Sequence, residues 1–275
     1  MSELVFVKLG GSVITDKARP ETARPDVIER LAAEVAHALA ARPDLRLVVG
    51  HGSGSFGHVS ARQYRTLEGV RTPADWRGFA AVAAVAARLN RIVADAFLAS
   101  GIPIWSLQPS ASARCRAGEL VSLEAAPVGE ALAQGLVPLV YGDVALDEMQ
   151  GGTIISTEQI FVYLARRFHP ARLILVGAVD GVFRGDPLRD PAAPPIPEIS
   201  AQNWHEVRAA LGGSHATDVT GGMLSKVEQM LGLVRELPEL VVHLISGERA
   251  GALEALLLHP RGTMPGTVIR WRDES

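Results

Sequence analysis

The sequence has very little lysine. Of its 27 basic residues only Lys8, Lys17 and Lys226 are lysines, and the other 24 are arginines. A codon bias towards arginine accounts for the surface, but it does not explain why all three lysines lie near glycine pairs. A lysine ammonium is a compact charge on a flexible side chain. The planar guanidinium of arginine cannot replace it where a single oxygen atom must be contacted. The three lysines are therefore candidate functional residues.

Other absences narrow the class of protein. The single cysteine, Cys115, excludes an internal disulfide and a cysteine metal cluster. No apolar run reaches the roughly 18 residues of a membrane span, and the opening "MSELVFVKLGG" lacks the basic region of an export signal. A net charge of −3 offers no footprint for nucleic acid. We expect a cytoplasmic protein with neither nucleic-acid nor membrane partners.

Strand and helix patterns alternate along the chain. Apolar runs such as "ELVFVKL" and "LRLVVG" predict buried strands, and segments 25–42 and 72–101 have helical apolar spacing. Thr72 and Pro73 are typical of a helix start, and Gly101 of a helix end. This alternation predicts an α/β fold with a largely parallel sheet and helices on both faces. The proline-rich segment 184–200 predicts an irregular connection between two lobes.

The segment "VVGHGSGSFGHV", residues 48–59, is the most unusual stretch of the chain. It contains the G-x-G-x-x-G pattern, but no strand with an acidic end follows as in a dinucleotide site. It also has P-loop spacing, yet His58 and Val59 replace the lysine and hydroxyl that a P-loop needs. Both patterns share a glycine-rich loop after a strand. The backbone N–H groups of such a loop can bind an anion. His58 would add a donor, whereas for His51 a structural role is favoured.

Two further glycine pairs repeat this arrangement. Gly10 and Gly11 lie between Lys8 and Lys17, and Gly221 and Gly222 precede Lys226. Loops at the carboxyl ends of strands in one sheet face a common crevice. Three lysines and a histidine around a crevice suit phosphoryl transfer, which depends on positioning and charge stabilisation. Because the sequence shows no obvious catalytic aspartate, this interpretation requires an acidic acceptor that needs no base.

Five motifs, in order, carry a resemblance to a known family: "KLGGSVITDK", "HGSGSFGH", "YGDV", "VDGVFRGDP" and "DVTGGMLSK". The chain resembles the amino acid kinase superfamily, and within it the isopentenyl phosphate kinases. The resemblance implies a single domain over 1–275 with a three-layer αβα sandwich and a mainly parallel sheet. It further implies an acceptor-binding lobe over 1–180, a nucleotide-binding lobe over 181–275, and a homodimer. The implied reaction is Mg²⁺- and ATP-dependent phosphorylation of isopentenyl phosphate to isopentenyl diphosphate.

The resemblance also implies roles for individual residues. The catalytic residues would be Lys8, Lys17, His58 and Lys226. Those at the isopentenyl phosphate would be Ser53, Gly54, His58 and Gly142. Those at ATP would be Lys8, Gly10, Gly11, Ser12, Gly54, Asp180, Phe183, Gly222 and Lys226.

The chain departs from the family pattern in places. Relatives carry "SGDD" where this chain has "STEQ" at 156–159, so either Glu158 replaces, with a longer reach, an aspartate that organises the lysines, or that role is lost. Gly177 and Ala178 stand where Thr-Asp is common, Phe183 where tyrosine is common, and Ser53 replaces a glycine. These changes concern the nucleotide site more than the reaction.

A prenyl acceptor would need an apolar pocket beside His58. The helical segment 75–100 offers small and apolar side chains, namely Phe79, Val82, Ala83, Val85 and Ala86. Packing against the sheet is the competing, favoured explanation for them. Burial of each CH₂ of a substrate in such a slot would contribute about 0.8 kcal/mol.

Three alternatives stay open at this point. A fosfomycin kinase would use the same histidine loop, since a phosphonate and a prenyl phosphate are both dianions. A non-catalytic nucleotide-binding or storage protein on the same fold would not need all three lysines. A dinucleotide-dependent oxidoreductase would use only the glycine pattern of residues 52–57.

Overall fold

The structure is a computed structural model that describes residues 2–185, 187, 190, 192–212, 222–259 and 266–271. Within its helices, the side chains of residues 58–60, 62 and 212 are outside this description. The helices are Gly11–Ile14 (α1), Pro25–Ala41 (α2), Gly54–Tyr64 (α3), Pro73–Ala99 (α4), Ala126–Ala133 (α5), Thr157–Phe168 (α6), Trp204–Gly212 (α7), Gly222–Glu236 (α8) and Ala252–Leu258 (α9).

The strands form one large sheet, one small sheet and a two-stranded ribbon. They are Glu3–Leu9 (β1), Leu45–His51 (β2), Ile104–Ser106 (β3), Arg114–Arg116 (β4), Glu119–Ser122 (β5), Val137–Tyr141 (β6), Asp143–Asp147 (β7), Gly151–Ile155 (β8), Arg172–Gly177 (β9), Val182–Phe183 (β10), Pro195–Ile196 (β11), Glu198–Ile199 (β12), Val241–Ser246 (β13) and Thr267–Ile269 (β14).

The large sheet has the strand order β12-β14-β13-β9-β1-β2-β6-β3. Its strands pair in parallel except for the β13–β14 pair, which is antiparallel. Since parallel strands are joined by helical crossovers, their carboxyl ends lie at one edge. The expected mainly parallel α/β sheet is confirmed.

Helices cover both faces of the large sheet. On β1 the side chains of Leu4 and Phe6 enter one apolar core, and those of Val5 and Val7 enter the other. This alternation follows from the two-residue period of a strand, and it requires apolar residues at nearly every position of a strand buried on both faces. One core packs against α5 to α8, and the other against α2, α4 and α9. The three-layer αβα sandwich is confirmed.

The ends of the longest helix, α4, follow from its sequence. The Thr72 hydroxyl accepts from the Asp75 N–H at 3.2 Å, and the Asp75 carboxylate accepts from the Thr72 N–H at 2.8 Å. This reciprocal capping box satisfies two N–H groups that the helix itself leaves unpaired. Gly101 follows the helix at φ +79°, a conformation that favours glycine. The expected start and end of α4 are confirmed.

One local expectation was incomplete. Segment 184–200 is not wholly irregular, because β11 pairs with β10 and β12 pairs with β14. The turn at Gly118 belongs to a four-stranded sheet of order β5-β4-β7-β8 that also contains strands of residues 143–155. Among the described residues, no helix combines the length and apolar character that a bilayer crossing requires.

Candidate active site

Two glycine loops meet backbone to backbone at the carboxyl edge of the large sheet. β1 and β2 end side by side, with Leu9 opposite His51, and α1 and α3 begin immediately after them. A Cβ on Gly11 would lie 2.6 Å from the Cα of Gly54, which no real side chain tolerates. Gly54 itself has φ +48°, in the left-handed region. The two loops can therefore touch only because glycines in them lack side chains.

The Thr15 hydroxyl fastens these loops together. It donates to the Gly11 carbonyl at 2.6 Å and accepts from the Ser55 N–H at 2.9 Å. Thr15 is 1% exposed, so both bonds are shielded from water. Lys17 follows in the exposed turn after α1, and this turn contacts Ser55 again through the Thr22 N–H. The structure thus places Lys17 on a segment anchored to the second glycine loop, and among the described residues its ammonium forms no ion pair.

Lys8 and Lys226 are brought together on one carboxylate. The Lys8 ammonium donates to Glu158 Oε1 and forms an ion pair with it, and the Lys226 Nζ lies 4.0 Å from the same oxygen. Lys8 is on β1, Glu158 is in the first turn of α6, and Lys226 is near the start of α8. Two of the three lysines expected in one crevice therefore share a partner.

Burial and charge act in opposite directions on Glu158. Burial alone would raise the pKa of its carboxyl, but the ammonium groups of Lys8 and Lys226 outweigh burial and hold the pKa below its ordinary value of 4.5. The carboxylate is therefore ionised at neutral pH. Its side chain is only 12% exposed and that of Lys8 10%, whereas that of Lys226 is 35% exposed. Together, Lys8, Glu158 and Lys226 carry one net positive charge next to the glycine loops.

The residues expected at the acceptor phosphate lie close together. Gly142 is buried, its N–H donates to the His51 carbonyl at 3.2 Å, and a Cβ on it would lie 3.6 Å from Ser53 Oγ. Ser53 directly precedes Gly54 and α3. The expectation that Ser53, Gly54 and Gly142 share a site thus fits the geometry, although their roles stay predictions. The side chain of His58, on α3, lies outside the described residues.

His51 is a buried, structural histidine. Its ring stacks on Tyr141 at 5.6 Å, and its Nε2 lies 3.2 Å from Asn90 Oδ1 on α4. Burial lowers the pKa of its imidazole to about 4, so the ring is neutral at pH 7. The ring ties β2 to α4 behind the glycine loop, in agreement with the structural role favoured from the sequence.

The residues expected at the nucleotide are distributed over the neighbouring loops. Asp180 follows β9, accepts from the Ser246 N–H at 3.2 Å, and is ion-paired with Arg249 in the loop after β13. Phe183 is half-buried on β10. Gly222 begins α8 at φ +60°, whereas Gly221 lies outside the described residues. Gly10 and Ser12 flank the start of α1, and the Gly10 N–H donates to the Val176 carbonyl at 2.8 Å.

The apolar segment of α4 divides into core residues and half-buried residues. Val82, Val85 and Ala86 are buried, which supports the packing explanation for them. Phe79 and Ala83 are half-buried, and Phe79 packs across Gly152 of β8. A slot for an apolar tail therefore has two candidate wall residues rather than five.

Three residues at this site were not assigned from the sequence. Thr15 fastens the glycine loops, Gln159 bonds outside its own helix, and Arg249 holds Asp180. Each makes contact with a residue distant in the chain. In the sequence, only the motifs "VITDK" and "STEQ" drew attention to this region. Neither motif indicates which of its side chains contacts another helix or strand.

Comparison with known proteins agrees with this geometry. The model of the amino acid kinase family matches residues 3–243. An isopentenyl phosphate kinase of Methanothermobacter thermautotrophicus is 38% identical over 94% of this chain and 98% of that relative. One of Haloferax volcanii is also 38% identical, over 97% of this chain and 98% of the relative. A solved structure described as an isopentenyl phosphate kinase superposes with TM-score 0.82 and 33% identity, covering 97% of this chain and 100% of that one.

Proposed function

This chain belongs to the amino acid kinase family, and within it to the isopentenyl phosphate kinases; from that premise we propose that it phosphorylates isopentenyl phosphate with ATP. The bond between the γ-phosphorus and the β,γ-bridging oxygen breaks, and a terminal oxygen of isopentenyl phosphate forms the new P–O bond. The products are isopentenyl diphosphate and ADP. The observation that carries the proposal is the Lys8–Glu158–Lys226 group beside two touching glycine loops.

Lys8 and Lys226 supply the cationic charge in this proposal. Phosphoryl transfer spreads negative charge over the equatorial oxygens, so fixed ammonium groups stabilise its transition state. Glu158 holds both lysines and leaves the net charge positive. Lys17 approaches from the anchored turn after α1, and Gly10, Gly11 and Ser12 provide the backbone around the phosphates.

The acceptor needs no general base. An oxygen of isopentenyl phosphate is already largely deprotonated at neutral pH, and Glu158 is engaged by lysines. Ser53, Gly54, Gly142 and His58 are proposed to bind the acceptor phosphate. Phe79 and Ala83 are proposed to line the slot for the five-carbon tail, with the buried α4 residues behind them.

The nucleotide is proposed to bind as its Mg²⁺ complex. Lys8, Gly54 and Lys226 face the phosphates, while Asp180, Phe183 and Gly222 belong to the nucleotide side, in the lobe that begins near residue 181. Glu158 and Asp180 are both occupied by cationic side chains. No cluster of three metal-ligating side chains occurs among the residues that the structure describes. Mg²⁺ prefers phosphate oxygens and water, so these residues fit an ion that arrives on ATP.

We also propose a cytoplasmic homodimer. β3 is one of the two edge strands of the large sheet, and Trp105 on it is 43% exposed. Leu98 on α4, the helix that packs beside β3, is 48% exposed. An edge strand with exposed apolar side chains favours pairing with a second copy. Light scattering behind size exclusion would show a mass near twice 29.2 kDa.

The decisive experiment compares acceptors side by side. The purified protein is incubated with MgATP and either isopentenyl phosphate, fosfomycin or no acceptor, while ADP release is recorded and the phosphorus product is identified by NMR. We expect ADP and a diphosphate only with isopentenyl phosphate. Faster turnover of fosfomycin would assign the alternative kinase, and ADP release that no acceptor accelerates would refute the proposal.

A further inference from the structure

The first turn of α6 is held from several sides. The Ser156 hydroxyl accepts from the Gln159 N–H at 3.1 Å, and Gln159 Oε1 accepts from the Ser156 N–H at 3.0 Å. The buried Thr157 hydroxyl donates to the His51 carbonyl at 2.6 Å. Glu158 lies within this turn, so the position of its carboxylate depends on how the turn is fixed.

Gln159 makes one bond that a helix cap does not need. Its Nε2 donates to the Gly118 carbonyl at 3.1 Å, in the turn between β4 and β5. That turn is itself fixed, because the Asp147 carboxylate accepts from the N–H groups of Ala117 at 3.2 Å and Gly118 at 2.7 Å. One amide side chain thus joins the small sheet to the turn that carries Glu158.

We propose that Gln159 is a positioning residue for the phosphoryl transfer, because its amide joins the Gly118 carbonyl to the helix turn whose Glu158 carboxylate is shared by Lys8 and Lys226. The inference rests on the proposed function. A rotation of this turn would swing the long Glu158 side chain and both ammonium groups with it. Gln159 therefore acts on turnover through Glu158 and touches neither substrate.

The structure offers a matched control for Gln159. Asn203 also uses one amide to join two backbone groups, since Oδ1 accepts from the Ser200 N–H at 2.9 Å and Nδ2 donates to the Glu198 carbonyl at 2.7 Å. It lies just before α7 and is half-buried. Gln159→Glu and Asn203→Asp each keep the acceptor and remove the donor, while Gln159→Leu and Asn203→Leu remove both without adding charge.

Steady-state rates with MgATP and isopentenyl phosphate, and thermal unfolding, are measured for all four variants. We expect both Gln159 variants to lower kcat about tenfold or more with little change in either KM, since a small misplacement of positioned groups has this effect. The Asn203 variants should keep kcat within about twofold at a similar loss of stability. Equal losses of kcat at the two positions, or no loss at Gln159, would overturn the inference.

A double-mutant cycle separates positioning from general damage. If Gln159 acts through Glu158, Gln159→Leu should lower kcat no further in a Glu158→Gln background, whereas independent effects would multiply and contradict the inference. If the wild type does not phosphorylate isopentenyl phosphate, the proposed function fails by itself. In that case the quantity compared in the cycle is the rise in melting temperature caused by Mg²⁺ and a non-hydrolysable ATP analogue. We expect the same non-additivity, and additive effects of the two substitutions would refute the inference.

Discussion

Replacement of Glu158 by glutamine tests the site most directly. The change keeps the size of the side chain and removes the charge that Lys8 and Lys226 share. Loss of one partner from a buried ion pair costs about 3–5 kcal/mol, because the remaining charge stays desolvated and loses part of its compensation. Lys8 is only 8% exposed, but Lys226 can turn towards solvent, so we expect the lower end, about 3 kcal/mol.

This loss is measurable as a change in melting temperature. An unfolding entropy of about 2.1 cal/mol/K per residue gives about 0.6 kcal/mol/K for 275 residues. Glu158→Gln should therefore melt about 5 °C below the wild type in scanning calorimetry without ligand. Glu158→Asp, which keeps the charge on a side chain one methylene shorter, is the matched control and should lose less.

Nucleotide should reverse part of this loss. Phosphate oxygens supply negative charge to the two lysines, so Mg²⁺ with a non-hydrolysable ATP analogue should raise the melting temperature of Glu158→Gln more than that of the wild type. Turnover should fall about a hundredfold in the same variant, because the ammonium groups lose their fixed positions. An unchanged melting temperature, or equal stabilisation of both proteins by the nucleotide, would refute the assigned contacts.

Acidity gives the same test a second readout. The pKa of Glu158 is lowered in the folded protein, so its contribution to stability is complete above the ordinary value of 4.5 and is lost as pH falls through the folded pKa. The stability difference between wild type and Glu158→Gln should therefore shrink below pH 4.5. A difference that stays constant from pH 7 to pH 3.5 would show that the carboxylate is not held by the lysines.

Further predictions concern glycine and histidine positions. Gly54→Ala should destabilise the protein by at least about 3 kcal/mol in urea unfolding, since it adds a backbone collision to the strain of a positive φ. Gly101→Ala, with the same sign of φ but open space, should cost only about 1 kcal/mol, and equal losses would contradict the touching loops. Burial lowers the pKa values of His51 and His243 to about 4, so the unfolding free energy should fall between pH 6.5 and 4 as the unfolded state takes up protons first. His243→Gln should remove up to about 1.4 kcal/mol per pH unit of that slope, and an unchanged slope would refute the assignment.

Much of the fold was predictable because its signals are local. The bounds of α4 match the predicted segment 72–101, since Thr72 and Pro73 mark its start and Gly101 its end. The small sheet was largely missed because its strands are short and two of them, β4 and β5, are largely exposed. On β4, for example, only Cys115 is buried, between exposed Arg114 and Arg116.

The site was predictable as a set of motifs but not as a set of contacts. Lys8 and Lys226 were singled out by composition, and Glu158 by its departure from the family pattern. Which atoms meet depends on packing between β1, α6 and α8, and no local pattern encodes contacts across 150 residues. Thr15 shows the same limit. The motif "VITDK" contains it, but only the structure shows that its hydroxyl accepts from the Ser55 N–H at 2.9 Å.

The geometry also explains why lysine persists in a chain that otherwise uses arginine. The Lys8 stem passes the bare Cα of Gly52, where an added Cβ would lie 3.9 Å from Lys8 Cε, and its ammonium then reaches Glu158 within a nearly closed space. A guanidinium is wider and donates from a planar fork. Its two nitrogens would bind both carboxylate oxygens and crowd the approach of Lys226, whose Nζ lies 4.0 Å from the oxygen that Lys8 contacts. Arginine at position 8 would therefore weaken the contact between Lys226 and Glu158. Two slender ammonium groups can approach one carboxylate oxygen, and their charge stays available to the phosphate oxygens of a transferred group.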